Sequence, residues 1–476
     1  MRLGLSALTF FLARAWWRGT VGVLEVALLA AISALCFLPV LRWFRGGMLH
    51  LPLGEGFAAM HLVYYVLPCL GIQEGLADYS ASLRIKALMG VALYLAGFLG
   101  VYLFVVERKR TLVSEKSMLR REVNLAAVWI MFWSWVVLIV GLQFGLIPNF
   151  GSARNVFQSF LGAMGGVSVV CLFYRNGRGQ LGYLEQTLAF VGLVVGVAAS
   201  FVSGFLVGGA YVMGASLLAY TLGRKRVPVF ALVFCVLLLG FLHLGKADYR
   251  TAARSEATGY TEAPTSFTAA YSLWFRVSWL ALTESSTESS DRLAILERTS
   301  LIQLLAQAME TIPDKEPFLR GETYFMIPEL LVPRVFWPDK PRGTRPTELL
   351  GIHLGIQSEE GSDTTGISVG APAEGWMNFG WLGLAGAGVF LGAFFGFPAS
   401  FSRQFEPQKV GWLVSSIFFV MCVDLEHSIP EMFCSSLQAW GVGLVVLLAI
   451  SSLPARKPKP RTGWRQPIPA APRSLP

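Results

Sequence analysis

Residues 228–250 read PVFALVFCVLLLGFLHLGKADYR. From Val229 to Leu244 the stretch carries no Asp, Glu, Lys or Arg, and then Lys246, Asp248 and Arg250 arrive together. A helix needs about 20 mainly apolar residues to cross a bilayer, and this stretch supplies one with a charged end. Working outward, comparable runs fall at 21–41, 57–73, 87–106, 124–147, 155–174, 180–199, 201–222, 379–398, 410–428 and 433–453. The run at 57–73 is short for a span and is also compatible with a re-entrant segment. Hydrophobic residues make up 54% of the 476-residue chain and charged residues 14%, with a mean hydropathy of +0.55. That balance excludes a set of soluble domains and predicts an all-α polytopic membrane protein of about 11 transmembrane helices, within a range of roughly 10–12.

The formal charge of +9 is unevenly placed. Residues 247–378 hold 11 Lys and Arg against 18 Asp and Glu, a net of −7, which leaves 28 basic and 12 acidic residues, a net of +16, elsewhere. The basic excess sits in short connectors: 108–121, 175–178, 224–226, around Arg403, and after Pro454. One side of the membrane accommodates all of them, and by the positive-inside pattern that side is the cytoplasm. Nucleic-acid binding is therefore not the reading of the charge. The chain divides into an N-terminal helix bundle (1–245), a large loop outside the cytoplasm (246–378), C-terminal spans (379–453) and a basic, Pro-rich cytoplasmic tail (454–476). With every span crossing, the N-terminus would start outside despite Arg2, Arg14 and Arg18. No cleaved signal peptide is expected. Glu25 inside the first span should face other helices. Gly204 and Gly208, four apart, suit close helix packing.

A segment as long as 246–378 should contain elements of its own. Leu293, Leu296, Leu301, Leu304, Leu305, Met309 and Ile312 recur at helical spacing, with Ser290 or Asp291 as cap and Pro313 as terminator. Phe267 to Leu282 suits an interfacial helix. At the centre of the segment, GETYFMIPELLVPRVFWPDKPRGTR (Gly321 to Arg345) is stiffened by Pro333, Pro338 and Pro341. Arg334, Lys340, Arg342 and Arg345, with only Asp339 among them, reverse the local sign of charge, which suits an anionic ligand such as a phosphate; the plainer reading is a basic surface turn. Lys246 and Arg250 are placed to meet headgroup phosphates or simply to snorkel. Further on, Glu374 and Asn378 of EGWMNFGWLG stand four apart on one helix face, where a carboxylate beside apolar surface serves as a general base or as a dipole-stabilised helix start. Asp424, Glu426, His427 and Glu431 cluster between the last two spans, as a functional group or a helix-pair cap. The cysteines (Cys36, Cys69, Cys171, Cys235, Cys422 and Cys434) all fall in apolar runs and read as packing residues. There is no P-loop, dinucleotide fingerprint, zinc spacing or nucleophile elbow.

In order along the C-terminal half, KADYR (246–250), the helix from Arg298 to Ile312, PFLRGETY (317–324), LVPRVFWPDKP (331–341), TTGISVG (364–370) and EGWMNFGWLG (374–383) resemble the bacterial oligosaccharide repeat-unit polymerases, the Wzy-like O-antigen polymerase and ligase superfamily. The chain departs from such polymerases at SFVSGFLVGG (200–209), which lacks the Arg they often carry before the large loop; Arg250 or Arg254 would substitute. The resemblance implies a GT-C-like membrane glycosyltransferase in the bacterial inner membrane, with the large loop periplasmic and the C-terminus cytoplasmic. It would polymerise undecaprenyl-diphosphate-linked oligosaccharide, for O-antigen or exopolysaccharide. An acceptor hydroxyl would attack the donor's anomeric carbon and lipid diphosphate would leave. Arg250, Arg334, Lys340 and Arg342 would hold the diphosphate. Glu374 would be the base, with His353 and Asp339 as further candidates, and Tyr324, Trp337, Trp376 and Asn378 would contact sugars. Neither cofactor nor metal is expected. The partners implied are the lipid-linked donor and acceptor, membrane lipid and a chain-length regulator. Transfer to another acceptor, as by an O-antigen ligase, or movement of lipid-linked sugar by a flippase are the competing readings.

Overall fold

The structure is a computed structural model that describes residues 22–70, 76–108, 113–144, 146–147, 154–252, 266–283, 300–332, 336–337, 339–362 and 366–452. Among these, regular structure is helical apart from one isolated bridge between Glu122 and Lys409. The bundle comprises α1 (Val23–Arg45), α2 (Leu53–His61), α3 (Ala81–Glu107), α4 (Leu125–Gln143), α5 (Arg154–Gly177), α6 (Tyr183–Phe201), α7 (Leu206–Arg224) and α8 (Val229–Leu244). The loop segment holds α9 (Lys246–Ala252), α10 (Phe267–Thr283), α11 (Leu301–Thr311), α12 (Glu322–Phe325), α13 (Ile327–Leu331) and α14 (Arg345–His353). The chain returns through α15 (Gly370–Ser402), α16 (Val410–Ser415), α17 (Phe419–Val423) and α18 (Ile429–Ser451). Among the described residues eight helical segments are long and apolar enough to span a membrane, and nine if α8 and α9, bent by 51° at Gly245, count as one.

Every expected apolar run falls on a helix, but three of the eleven, at 155–174, 228–245 and 410–428, are not among the eight when taken alone. The run at 410–428 is shorter than expected: the apolar helix ends at Val423, with a 3-10 turn at Ser416–Phe418. It lies almost wholly inside protein, from Val410 to Phe419. The run at 155–174 forms α5, whose side chains are described from Gly162 on.

Long-range contacts sort the connectors onto two ends of the bundle. At one end Arg42 pairs with Glu107, Lys225 donates to the carbonyls of Gly47 and Met48, and Arg120 donates to Gln404 O. Arg403 donates there to Val106 O, Lys409 pairs with Glu122, and Leu51 N donates to Ser402 Oγ. The basic connectors thus share one end. At the other end Arg84 pairs with buried Glu25, Tyr249 OH donates to Val202 O, and the loop segment packs on the helix termini. The segment from α2 to Leu70 joins the two ends, although its helix gives way to a π turn at Leu62–Val66 and a 3-10 turn at Leu67–Leu70. Arg42 and Arg45 therefore lie at the basic end.

Close helix approach falls at other glycines than the pair at 204 and 208. Gly204 stands in a turn at φ +77°, and Gly208 faces open space. A methyl on Gly388 or Gly392 of α15, by contrast, would overlap the backbone of Tyr94 or Phe98 in α3. These two helices form the most intimate pair in the bundle, and Phe57, Phe98 and Phe395 close the core beside them.

In α15 the backbone leaves helical geometry at Phe379 (φ −143°, ψ 21°) and Gly380 (φ 58°, ψ −135°). A methyl on Gly383 would overlap the Gly375 carbonyl, whereas residues eight apart in a straight helix are separated by about 12 Å. The helix is therefore folded back on itself. The limb 381–402 has the length of a span, about 33 Å at 1.5 Å per residue. The limb 370–378 turns back alongside its first turns and carries Glu374 and Asn378.

Loop elements follow the sequence expectations in type. α10 matches the stretch expected at 267–282, and buried Trp274 stacks on Tyr249 at 4.2 Å and donates to Leu242 O at 2.9 Å. α11 is capped by Ser300, and Thr311 is its last residue, just ahead of Ile312 and Pro313. The expected caps Ser290 and Asp291 lie outside the described residues.

Candidate functional site

Glu374 is the centre of the loop end. Its side chain is 0% exposed. Oε1 accepts from Thr323 Oγ1 at 2.8 Å, and Oε2 accepts from the backbone N–H of Ile429 at 2.6 Å. Asn378, one turn on, donates from Nδ2 to Glu374 O at 2.9 Å and to Thr323 Oγ1 at 3.1 Å, and its Oδ1 accepts from Gly321 N at 2.9 Å. Leu319 N and Arg320 N donate to the carbonyls of Met377 and Asn378. Residues 319–323 are thus laced to the 370–378 limb. Gly321 has φ +94°, and a methyl there would sit 3.1 Å from the Phe379 ring, so the turn needs glycine on both counts. Among the described residues neither Glu374 oxygen forms an ion pair. Both oxygens are met instead by neutral donors, away from water.

The hairpin ahead of α18 forms the opposite wall. The His427 ring lies between two carboxylates, with Nε2 3.2 Å from Asp424 Oδ2 and Nδ1 3.2 Å from Glu431 Oε1. Glu431 Oε2 accepts from Thr347 Oγ1 of α14 at 2.9 Å. Burial opposes charge on His427, yet the hydrogen bonds and charges of Asp424 and Glu431 lift it well above the usual imidazole range. Burial alone would raise the Asp424 carboxyl, but the hydrogen bond and charge of His427, with the Glu426 N–H, hold it below its usual range. Glu426 is raised by burial and then by the Asp424 charge, against Lys246, His427 and a hydrogen bond from Tyr64. Lys246 of KADYR therefore reaches this wall.

The remaining candidates are dispersed around this centre. Tyr324 stacks on Phe379 at 6.3 Å, and burial followed by the Glu374 charge pushes its phenol well above the usual range. Trp376 is a core residue: it is 3% exposed, it donates to Ile312 O at 3.1 Å, and Lys86 Nζ lies 4.5 Å from its ring centroid. Asn378 is fully buried, braced as above. Lys340 donates from Nζ to the carbonyls of Leu330 at 2.9 Å and Val332 at 2.7 Å, closing the C-terminus of α13. His353 donates from Nε2 to Pro317 O at 2.9 Å and ties α14 to the loop. Trp337, Asp339 and Arg342 are exposed, and Arg345 stands 3.8 Å from Glu348 at the start of α14. Arg334 lies outside the described residues. Arg250 packs on Phe205, 4.3 Å from the ring centroid, and against Gly204, where a methyl would come 2.7 Å from its Cγ. An Arg thus stands beside SFVSGFLVGG after all, brought there from α9.

Sequence reasoning missed Thr323, although it lies inside the quoted GETY, because a single Thr carries no signal of its own. It also missed Tyr64, Tyr65 and Tyr94, which sat inside the apolar runs at 57–73 and 87–106. Among the described residues no group of three or more His, Cys, Asp and Glu is arranged to hold a metal ion, and the cysteines are free. Comparison with family models, with curated proteins and with solved structures returns no match. What the geometry defines is a polytopic helical membrane protein with a polar, carboxylate-centred site at one end of its bundle.

Proposed function

We propose that this protein is a membrane glycosyltransferase that extends glycan chains on a polyprenyl diphosphate carrier, working at the face opposite its basic connectors. The observation that carries the reading is the meeting of PFLRGETY and EGWMNFG, which close on each other through Thr323, Asn378 and Gly321 around one buried carboxylate. Both stretches belong to the run on which the resemblance to repeat-unit polymerases rests. KADYR, a third member of that run, reaches the same end through Lys246 and Arg250. By the positive-inside pattern the basic end faces the cytoplasm and the site faces the periplasm.

In this mechanism Glu374 takes the proton of an acceptor hydroxyl, whose oxygen attacks the anomeric carbon of the donor. The bond to the diphosphate breaks and the electron pair leaves with the lipid carrier. Arg250, Arg334 and Arg342 stabilise that leaving group, while Lys340 closes the C-terminus of α13. Rotation of the Thr323 side chain off Glu374 frees Oε1 for the acceptor hydroxyl.

Reconstitution of the purified protein with lipid-linked repeat units tests this directly. A ladder of products is expected. Transfer only to an added foreign acceptor would make it a ligase, and relocation of substrate without new glycosidic bonds would make it a flippase.

A further inference from the structure

Three hydroxyls near Glu374 are buried without a hydrogen-bond partner among the described residues: Tyr65 OH, Tyr94 OH and Ser428 Oγ. Their residues are 0%, 0% and 1% exposed. Leaving a buried hydroxyl unpaired is costly, a penalty that Phe or Ala would avoid at each position. The three groups are also close together in space. His61 stacks on Tyr65 at 5.3 Å and lies 5.5 Å from Tyr94, so one ring packs against both phenols. A methyl built on Gly370 would lie 3.1 Å from Tyr65 OH and 3.4 Å from Leu425 O, which puts that hydroxyl under the start of the Glu374 limb and against the hairpin. Tyr94 lies within electrostatic range of Tyr65, Tyr324 and Glu374. Ser428 immediately precedes Ile429, whose N–H is on Glu374. The π turn at Leu62–Val66 lets adjacent tyrosines serve this region: Tyr64 faces Glu426 and Tyr65 faces Gly370. Such turns concentrate at functional sites.

The chemistry of the group selects its ligand. An anion would meet Glu374 and, beyond it, Asp424, Glu426 and Glu431. A neutral polyol fits: phenols and the serine donate to or accept from its hydroxyls, and the carboxylate accepts from one of them. Tyr324 beside Glu374 adds an aromatic face suited to a sugar ring. We propose that Tyr65, Tyr94 and Ser428 form, with Glu374, the subsite for the acceptor sugar, holding the ring so that one hydroxyl points at the carboxylate. This rests on the glycosyl-transfer reading above and names which substrate the buried hydroxyls serve. Tyr65, Tyr94 and Ser428 act by positioning; the proton moves to Glu374 alone.

The test uses the full-length protein in liposomes and a panel of long-chain alkyl glycosides of hexoses and N-acetylhexosamines, which accept a glycan but carry no diphosphate to donate. The variants are Tyr65→Phe, Tyr94→Phe and the double substitution. The expected result is an acceptor KM raised at least tenfold in the double variant, a smaller change in kcat, an unchanged donor KM, and a thermal midpoint equal to or above that of the parent. Calorimetric binding of the same glycosides should weaken in parallel. Unchanged acceptor KM and binding would overturn the proposal, and so would a thermal midpoint several degrees lower, since the hydroxyls would then be holding structure or internal water. If the parent protein binds glycosides in a hydroxyl-dependent way but transfers nothing, the subsite stands and the transferase reading falls. If it transfers but the phenols do not matter, the reverse holds.

Discussion

Glu374 and His427 show how two ionisable residues at one end of a bundle are held by partners of different kinds. Glu374 has neutral donors, and His427 has two carboxylates. Glu374→Gln keeps the shape but removes the proton acceptor, and transfer should fall by about 10²–10⁴-fold, the usual contribution of a general base. Membrane insertion and the thermal midpoint should remain near the parent's, which a product ladder and an unfolding scan would establish together. Turnover close to the parent's would move the role of base elsewhere.

The His427 clasp also fixes a pH dependence. Its pKa in the folded protein is raised, so its contribution is fully present below the unfolded value, about 6.5, and is lost as pH rises through the raised value. Asp424 is lowered, so its contribution is present above the unfolded carboxyl value and is lost as pH falls through the lowered one. Glu426, raised, has the sign of His427 and weakens the folded state as pH rises. The junction of hairpin, α14 and α18 should therefore be most stable from mildly acidic to neutral pH and loosen on the alkaline side. Hydrogen exchange at 424–432 measures it, and His427→Gln should flatten the alkaline loss. An unchanged alkaline limb in that variant would refute the clasp.

At the scale of elements, the fold-back of α15 is the feature on which the site depends. Gly383→Ala puts a methyl into the Gly375 carbonyl and should destabilise by about 1–3 kcal/mol, as overpacking does, while displacing the Glu374 limb and lowering transfer. Gly208→Ala is the control: its methyl meets nothing within 4 Å, and it should be neutral or stabilise by up to about 1 kcal/mol. Unfolding midpoints of the two variants decide the matter. The elements themselves were legible in the sequence. Apolar runs marked the helices, and Pro313 fell just beyond the end of α11. The four-residue spacing of Glu374 and Asn378 gave the bond between them. The turn-back at Phe379–Gly380 was not legible, because a lone Gly inside an apolar helix reads equally as packing. Nor was the site's second wall assembled: Thr323, Glu374 and Ile429 are more than fifty positions apart pairwise, and pattern along the chain carries no such distance. Trp376 misled for a related reason: an aromatic beside a charged loop looks available until its indole is seen under Lys86.

For the whole molecule, the sorting of connectors to two ends makes a prediction about sidedness. Arg342 and Glu406 are both exposed, on opposite ends. With single cysteines at each, a membrane-impermeant maleimide applied to intact cells should label Arg342→Cys, and Glu406→Cys only after permeabilisation. The native cysteines are buried or half-buried, so their background should be low. Labelling of both positions in intact cells would break the topology. The pairing of Arg42 with Glu107 and of Lys225 with the 47–48 carbonyls puts this turn at the basic end, as a crossing 57–73 requires.

The Gly375–Gly383 contact has a mechanical consequence. The carboxylate rides on a short arm whose root is planted in the 381–402 stem and is laced there to residues 319–323. Exchange of residues 339–362 for an unrelated sequence should therefore leave the arm where it is while removing Arg342, so a chimaera of that kind would keep the Glu374 geometry and lose its grip on the diphosphate.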